Sequence, residues 1–237
     1  MFTIFAPSKI EIDKMKNKEI QEKRMKEYFI QATKDILRGE GIKSLSVRNI
    51  ANQAGYSYAT LYNYFKDIND LIFLCVSDFQ DECDQFVSAQ IKKSPKGLER
   101  LKSSVLSYMD YFVEYPGIFD LFYLTKVDDF GTKQTTIDLI SKSLDNVCKK
   151  EWDYCIGHNL IPIEKVESIK SQLRYLTIGI LLLYINRRTP SSYSEFINQA
   201  TAQIDYLLDC NKNNIVSGDN QNNMPKIQNS LISINVK

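Results

Sequence analysis

The stretch from Ser46 to Leu71 carries the side chains whose chemistry is clearest in this chain of 237 residues. It reads SVRNIANQAGYSYATLYNYFKDINDL, and hydroxyl or amide groups crowd its middle at Tyr58, Thr60, Tyr62, Asn63 and Tyr64. An exposed helix without a partner would more often carry Lys and Glu at such positions. Hydroxyl and amide groups hydrogen-bond to phosphate oxygens and to the edges of DNA bases. The segment therefore predicts a surface that binds DNA.

Two short helices must position these groups. Ser46 can cap the first helix, and Gly55 after it permits the positive φ of a tight turn. Ser57 can cap the second helix. Two short helices joined by a glycine-containing turn of about three or four residues form a helix-turn-helix. Five apolar residues are expected in its core without direct contact to DNA: Val47, Ile50, Ala51, Leu61 and Phe65.

The rest of the chain is predicted to be all-α, because its apolar residues recur at helical spacing and strand signals are scarce. We predict a flexible lead over 1–16, a helix-turn-helix domain over 17–66, a larger helical domain over 67–210 and a disordered, Asn-rich tail over 211–237. The predicted helices span 17–38, 46–53, 57–63, 67–91, 97–114, 117–125, 133–157, 163–188 and 192–209.

Composition sets further limits. Lys and Arg total 30 and Asp and Glu total 29, so net charge argues neither for nor against a nucleic-acid partner. The longest apolar run, 176–185, is too short to span a membrane, and the N-terminus does not resemble a signal peptide. A cytoplasmic protein without a membrane partner is expected. The first 70 residues hold twelve basic and nine acidic residues, a modest excess that predicts dimerisation for useful DNA affinity.

Residues for catalysis or for metal binding are not evident. The five cysteines form no CxxC pair, and we interpret them as reduced, buried thiols. His158 is the only histidine and is expected at the surface, so neither a metal site nor a cofactor is predicted. The chain shows no pairing of a nucleophile with a base and no phosphate-binding loop, so we do not expect an enzyme.

The same segment resembles the DNA-binding region of the TetR family (TetR/AcrR type) of bacterial transcriptional regulators. That family's pattern is T-V-R-x-I-A-x-x-A-G-V-S-x-x-T-L-Y-x-Y-F. Twelve residues fall on matching positions without a gap: Val47, Arg48, Ile50, Ala51, Ala54, Gly55, Ser57, Thr60, Leu61, Tyr62, Tyr64 and Phe65. The motif covers about residues 17–75, and helix order extends the resemblance weakly to 210.

The resemblance implies roles for individual residues. Ser46 and Arg48 would meet phosphates, and Tyr62 and Tyr64 would clamp the DNA backbone. Four residues would enter the major groove: Ser57, Tyr58, Ala59 and Thr60. The family usually has Lys at the position of Ile68, and Lys66 is a candidate substitute. The alternatives are packing against the first helix for the two tyrosines and a solvated helix face for the two cations.

The resemblance also implies a pocket for a small molecule between the fourth and eighth helices. Six aromatic residues are candidate ligand contacts, with ordinary helix core as the alternative: Tyr108, Phe112, Phe119, Phe122, Tyr123 and Tyr175. The helices at 163–188 and 192–209 are candidates for a four-helix dimer interface through Leu182, Ile204 and Leu208. Burial inside one subunit is the alternative for these three residues.

These observations predict a homodimeric, ligand-responsive DNA-binding transcriptional regulator. The resemblance implies a repressor that an unidentified small molecule releases from an inverted-repeat operator on double-stranded DNA. The alternative is a helical ligand-binding or interaction protein whose DNA-binding domain has degenerated.

Overall fold

The computed structural model describes residues 9–126 and 134–216, and within them the side chains of 16–126 and 134–210. Residues 1–8 of the predicted lead, the predicted break at 128–131 and residues 217–237 of the predicted tail lie outside the described residues. The described residues form helices and turns without a β-strand, so the all-α prediction is confirmed.

Eleven α-helices follow one another in the described residues. They are α1 (Lys9–Gly39), α2 (Val47–Ala54), α3 (Tyr58–Tyr62), α4 (Ile68–Gln90), α5 (Leu98–Glu114), α6 (Pro116–Phe119), α7 (Gln134–Ser141), α8 (Ser143–Val147), α9 (Lys149–Gly157), α10 (Val166–Ile185) and α11 (Tyr193–Val216). A π-helical turn, Asp120–Leu124, continues α6, and short 3-10 turns precede α2, follow α4 and precede α10.

The two outermost helices are longer than their sequence patterns indicated. Helix α1 begins at Lys9, inside the predicted flexible lead, and α11 continues to Val216, inside the predicted tail. Lys and Glu four residues apart support an exposed helix. In the middle of α1 the Lys26–Glu22 pair, at 2.9 Å, is one such contact.

Two hydrophobic cores divide the molecule. The smaller core joins α1, α2, α3 and the first turn of α4, with Phe29, Ile50 and Leu61 fully buried. The larger core joins α4 to α11. Helix α4 contributes Leu71 to the first core and Phe79 to the second. The same rigid helix therefore connects the helix-turn-helix to the larger domain.

Two of the three predicted dimer contacts are wrong. Ile204 and Leu208 are buried in the larger core of their own subunit, so neither can reach a partner. The apolar stripe of α11 at Phe196, Ala200 and these two residues packs inward, against the helices of its own subunit. Leu182 on α10 is 36% exposed and is the one predicted contact that remains available to a second chain.

Tyr175 is also misplaced among the predicted ligand contacts, because its side chain is 71% exposed. Its neighbours Leu173 and Thr177 on α10 are buried. A residue two positions away on an α-helix lies on nearly the opposite face, so Tyr175 points away from the core. Within the described residues, no helix has the length and apolar character required to cross a membrane.

Candidate DNA-binding surface

The turn between α2 and α3 has the geometry that its sequence predicts. The Ser46 hydroxyl accepts a hydrogen bond from the Asn49 backbone N–H at 3.1 Å and caps α2. Gly55 ends this helix in the left-handed region at φ 77°, which a residue with a Cβ adopts only at a cost. The Ser57 hydroxyl then accepts from the Thr60 N–H at 3.1 Å and caps α3.

A small apolar core fixes the angle between these helices. Ile50 and Ala51 of α2 and Leu61 of α3 are buried against α1, and Phe65 is buried in the same core. The rings of Phe29 and Phe65 meet edge to face with centroids 6.3 Å apart. The core predicted from the sequence is confirmed, except that Val47 is half-buried at its edge. Burial of these apolar residues holds α3 at the surface.

The predicted DNA contacts on α3 are displayed to solvent. Tyr58 is 65% exposed and Tyr62 is 53% exposed, so neither ring is committed to the core. Ser57, Ala59 and Asn63 are also exposed. Thr60 is half-buried, and its hydroxyl lies 2.9 Å from that of Ser57. The outward face of α3 is thus a row of small polar groups and phenols.

Positive charge flanks this row. Arg48 on α2 and Lys66 after α3 are both exposed, and Ser46 is half-buried at the start of α2. Ile68, at the position where the family usually has Lys, instead packs on the smaller core. The side chain there contributes to folding and cannot hold a phosphate, which leaves Lys66 as the cation nearest in sequence.

Tyr64 differs from Tyr62. It is half-buried, and its ring centroid lies 6.2 Å from that of Phe29 on α1. Its ring therefore packs against the first helix, as the alternative interpretation of the sequence proposed, and only its outer edge can face a ligand.

Two exposed tyrosines beside this surface were not predicted from the sequence. Tyr28 on α1 and Tyr56 in the turn after α2 are both exposed, with ring centroids 6.1 Å apart. Tyr56 also lies 5.7 Å from the ring of Phe29. The two tyrosines are separated by 28 positions in the chain, so no local spacing could associate them. The position of Tyr56 directly after the turn glycine was the one sequence feature that could have indicated its exposure.

An ion-pair cluster connects the first domain to the second. Lys34 on α1 donates to Glu82 at 2.6 Å and to Asp78 at 3.2 Å, and Arg38 pairs with the same Glu82. Burial of Lys34 opposes its charge, but the two carboxylates outweigh that penalty and raise the pKa of its ammonium group. Because the cluster is partly buried, removal of one partner leaves a charge that is costly to keep.

Five of the predicted ligand contacts form one aromatic cluster in the larger domain. The ring of Phe112 lies with its centroid 4.9 Å from Tyr108, 5.9 Å from Phe119, and 5.6 Å from both Phe122 and Tyr123. The Tyr108 hydroxyl contacts that of Tyr123 and donates to Ser143 at 2.8 Å. The structure brings these five residues together but excludes Tyr175.

Comparison with known proteins agrees with this geometry. Residues 29–75 match the sequence model for bacterial regulatory proteins of the tetR family. A curated relative, the HTH-type transcriptional regulator HbdR of Aromatoleum sp. (strain CIB), is 29% identical over 91 residues. That match covers 38% of this chain and only 39% of the relative.

Solved structures match over a longer range. A TetR family transcription regulator from Marinobacter aquaeolei VT8 has a TM-score of 0.54 at 16% identity, covering 80% of this chain and 97% of its own. FadR from Bacillus subtilis, in complex with stearoyl-CoA, has a TM-score of 0.56 at 17% identity, covering 76% and 96%. RolR, in complex with resorcinol, has a TM-score of 0.57 at 12% identity, covering 80% and 88%.

At these identities the solved structures establish the fold, while the family match covers the helix-turn-helix itself. Residues 29–75 are therefore a helix-turn-helix region of the tetR type, and the described residues share the fold of solved TetR family regulators.

Proposed function

We propose that the chain is a homodimeric transcription regulator that binds an inverted-repeat operator and is released from it by a small molecule. In a bacterium such a protein acts on the chromosome in the cytoplasm, and release by ligand makes it a repressor. The observation that carries the proposal is the exposure of Tyr58 and Tyr62 on α3, a capped helix whose inner face packs on the smaller core. Exposed phenols on a short helix suit a groove with phosphate walls.

Each group on this surface has a part. Ser57, Tyr58, Ala59 and Thr60 begin α3 and meet base edges in the major groove. A second set holds the sugar–phosphate backbone on both sides of the groove: Ser46, Arg48, Tyr62, Asn63, the outer edge of Tyr64, and Lys66. Backbone contacts position the helix, while the contacts at its start read sequence.

Dimerisation is supported by the outer stripe of α10. Tyr175, Gly179, Leu182 and Leu183 recur at helical spacing and are all exposed. On α11, Tyr206 is exposed as well, while the opposite side of that helix is buried. Two copies of α10 and α11 that meet through these faces would bury the stripe about a two-fold axis. Leu182 is central to this face, which replaces the predicted contacts at Ile204 and Leu208.

Control by a small molecule requires a path from the larger domain to α3. Helix α4 supplies it, because it joins both cores and pairs with α1 through Glu82 and Asp78. Two structures of similar fold hold small molecules, stearoyl-CoA in one and resorcinol in the other. A ligand that stabilises one orientation of α4 shifts the spacing of the two recognition helices, and affinity for DNA changes with it.

The test is selection of random double-stranded DNA by the purified full-length protein, followed by sequencing of the bound fragments. A two-fold dimer presents two recognition helices roughly 34 Å apart, so the selected sites are expected to be inverted repeats. Tyr62→Phe keeps the ring and removes the hydroxyl, and it should weaken binding by about 1–2 kcal/mol.

Recovery of unpaired half-sites alone would contradict the dimeric arrangement. Failure to enrich any sequence, at low salt as well as at about 0.15 M, would favour an interaction protein with a degenerate DNA-binding domain.

A further inference from the structure

The first part of α1 projects from the smaller core. The helix begins at Lys9, and every residue from 16 to 24 is exposed. Met25 is the first side chain along the helix that packs on that core. Because an α-helix rises 1.5 Å per residue, residues 9–24 extend about 24 Å beyond it. We call these residues the α1 arm.

One side of this helix carries hydrogen-bonding groups and a cation. Four exposed residues follow one another at spacings of four, three and four, which places them in one line along the helix: Asn17, Gln21, Arg24 and Tyr28. Three glutamates lie in the same stretch, Glu19, Glu22 and Glu27. At about 100° per residue, they point roughly 100–180° away from Tyr28. The line of four, which we call the α1 stripe, therefore has no acidic member.

The salt bridges near the α1 stripe use other sides of the helix. Lys26 pairs with Glu22 at 2.9 Å, and Lys23 lies 4.0 Å from Glu27. Among the side chains that the structure describes, Arg24 pairs with no carboxylate. Asn and Tyr are weaker helix formers than Lys and Glu, so the stability of an exposed helix does not explain their presence in the stripe. The stripe has groups available to an anionic partner.

The α1 stripe meets the start of α3 at Tyr56. The rings of Tyr28 and Tyr56 lie 6.1 Å apart, and Tyr56 directly precedes Ser57, the cap of α3. The Tyr56 ring also lies 5.7 Å from that of Phe29, and its backbone N–H donates to the Ala51 carbonyl at 2.9 Å. These contacts hold Tyr56 between the two helices. The stripe and the first turn of α3 are therefore adjacent parts of one exposed surface.

We propose that the α1 stripe is a second DNA-binding element, which holds the phosphate backbone of the duplex outside the major-groove site of α3. The Arg24 guanidinium pairs with a phosphate oxygen, and the phenols of Tyr28 and Tyr56 donate to others. Asn17 and Gln21 supply amide N–H donors further along the arm. The proposal rests on the proposed function and extends it to DNA beyond each half-site.

The dimensions and composition of the stripe suit this partner. From Asn17 to Tyr28 the helix rises about 16 Å, and phosphates recur every ~3.4 Å along one strand, so the stripe can follow about five of them. An interface with another protein commonly has an apolar centre, whereas the stripe has no aliphatic side chain. Phosphates are alike at every base pair, so these contacts add affinity and length to the site without adding sequence preference.

The experiment compares two duplexes that carry a selected operator. The long duplex has about ten base pairs, one helical turn, on each side of the inverted repeat, and the short duplex ends at its edges. Binding of the full-length protein is measured by fluorescence anisotropy at several salt concentrations. The parent protein should bind the long duplex about ten-fold more tightly than the short one, the gain expected from one charged hydrogen bond or more.

Arg24→Gln should remove most of this preference and lower the salt slope on the long duplex by about one unit. Tyr28→Phe removes one hydroxyl and should weaken binding to the long duplex by about three-fold. Lys23→Gln is the matched control, because it removes the same charge one position away, on a side of the helix about 140° from Tyr28. It should leave both affinities unchanged. Far-UV circular dichroism confirms that each variant is folded.

Hydroxyl-radical cleavage of the long duplex gives a direct readout, since the parent protein should protect sugars outside the inverted repeat and Arg24→Gln should lose that protection. Equal affinity of the parent protein for the two duplexes overturns the proposal. Equal losses from Arg24→Gln and Lys23→Gln also overturn it, because they would indicate general attraction alone. In both cases operator binding itself persists, so the proposed function stands. Failure of the parent protein to bind any DNA would instead refute the proposed function together with the role of the stripe.

Discussion

At Gly117 helix α6 comes close to the backbone of α1, which offers a sharp test of the structure. Gly117 is the second residue of α6, and a Cβ placed on it would lie 2.5 Å from the Arg38 carbonyl oxygen and 2.6 Å from that of Leu37. Both atoms belong to the backbone at the end of α1, so they cannot rotate away. Gly117→Ala must therefore separate α1 from α6.

The magnitude follows from the overlap. A relaxed carbon–oxygen contact lies near ~3.3 Å, so the helices must move by roughly 0.8 Å. Overpacking of this kind costs about 1–3 kcal/mol, and replacement of a helical glycine by alanine returns about 0.5–1 kcal/mol. The difference between these ranges is a net loss of about 0–2.5 kcal/mol, with a central value near 1 kcal/mol. For a chain of this size each kcal/mol lowers Tm by about 2–4 °C, so Tm should fall by about 2–4 °C at the central value.

The assay is thermal and urea unfolding at fixed protein concentration, followed by far-UV circular dichroism. Gly157→Ala is the matched control, because a Cβ at Gly157 would meet no atom within 4 Å and its φ is not positive. The control should be neutral or slightly stabilising. Equal stability of Gly117→Ala and the parent protein would refute the close approach of α1 and α6.

Three further results are expected. Lys66→Ala should reduce the slope of log binding constant against log salt concentration for operator binding by about one unit. The control Lys142→Ala, an exposed change in the larger domain, should leave that slope unaltered. Equal slopes for the two variants would remove Lys66 from the phosphate contacts. Leu182→Glu should give folded monomers in light scattering and abolish operator binding. The control Ile163→Glu changes an exposed residue outside the α10 stripe and should stay dimeric. A dimeric Leu182→Glu variant would place the interface elsewhere. A thiol reagent should modify Cys210 alone in the native protein, because the other four thiols are buried: Cys75, Cys83, Cys148 and Cys155. Burial also raises the pKa of Cys75 to about 12. Modification of two or more thiols per chain would show that the core opens.

Local sequence was sufficient for the helix-turn-helix. Ser46, Gly55 and Ser57 act on groups within five positions of themselves, so their cap and turn geometry could be predicted and is observed. The spacing of Ile50, Leu61 and Phe65 likewise predicted the small core. The same information indicated that Tyr58 and Tyr62 would be exposed. Ile68 could be recognised as a departure, but only the structure shows that it packs on the core.

The larger domain depended on tertiary contacts. Helix α10 is apolar nearly all round, so periodicity could not decide which side faces its own subunit, and the structure turns Thr177 inward and Tyr175 outward. Helix α11 had a clear apolar stripe, but a stripe shows only that a face is buried and not what covers it. Its own subunit covers Ile204 and Leu208.

A cleft between α4 and α8–α9, lined in part by Gln80, was beyond sequence reasoning for a related reason. Its charged residues are Asp81, Asp84, Lys149, Lys150 and Glu151, and none of them stands out when each helix is considered alone. Only the packing of α4 on α8 and α9 brings them to one rim and leaves Gln80 Oε1 without a partner. The sequence thus determined the helices, their caps and the DNA-binding unit, because those depend on neighbours in the chain. The tertiary structure decided which faces meet, because that choice depends on surfaces distant in the chain.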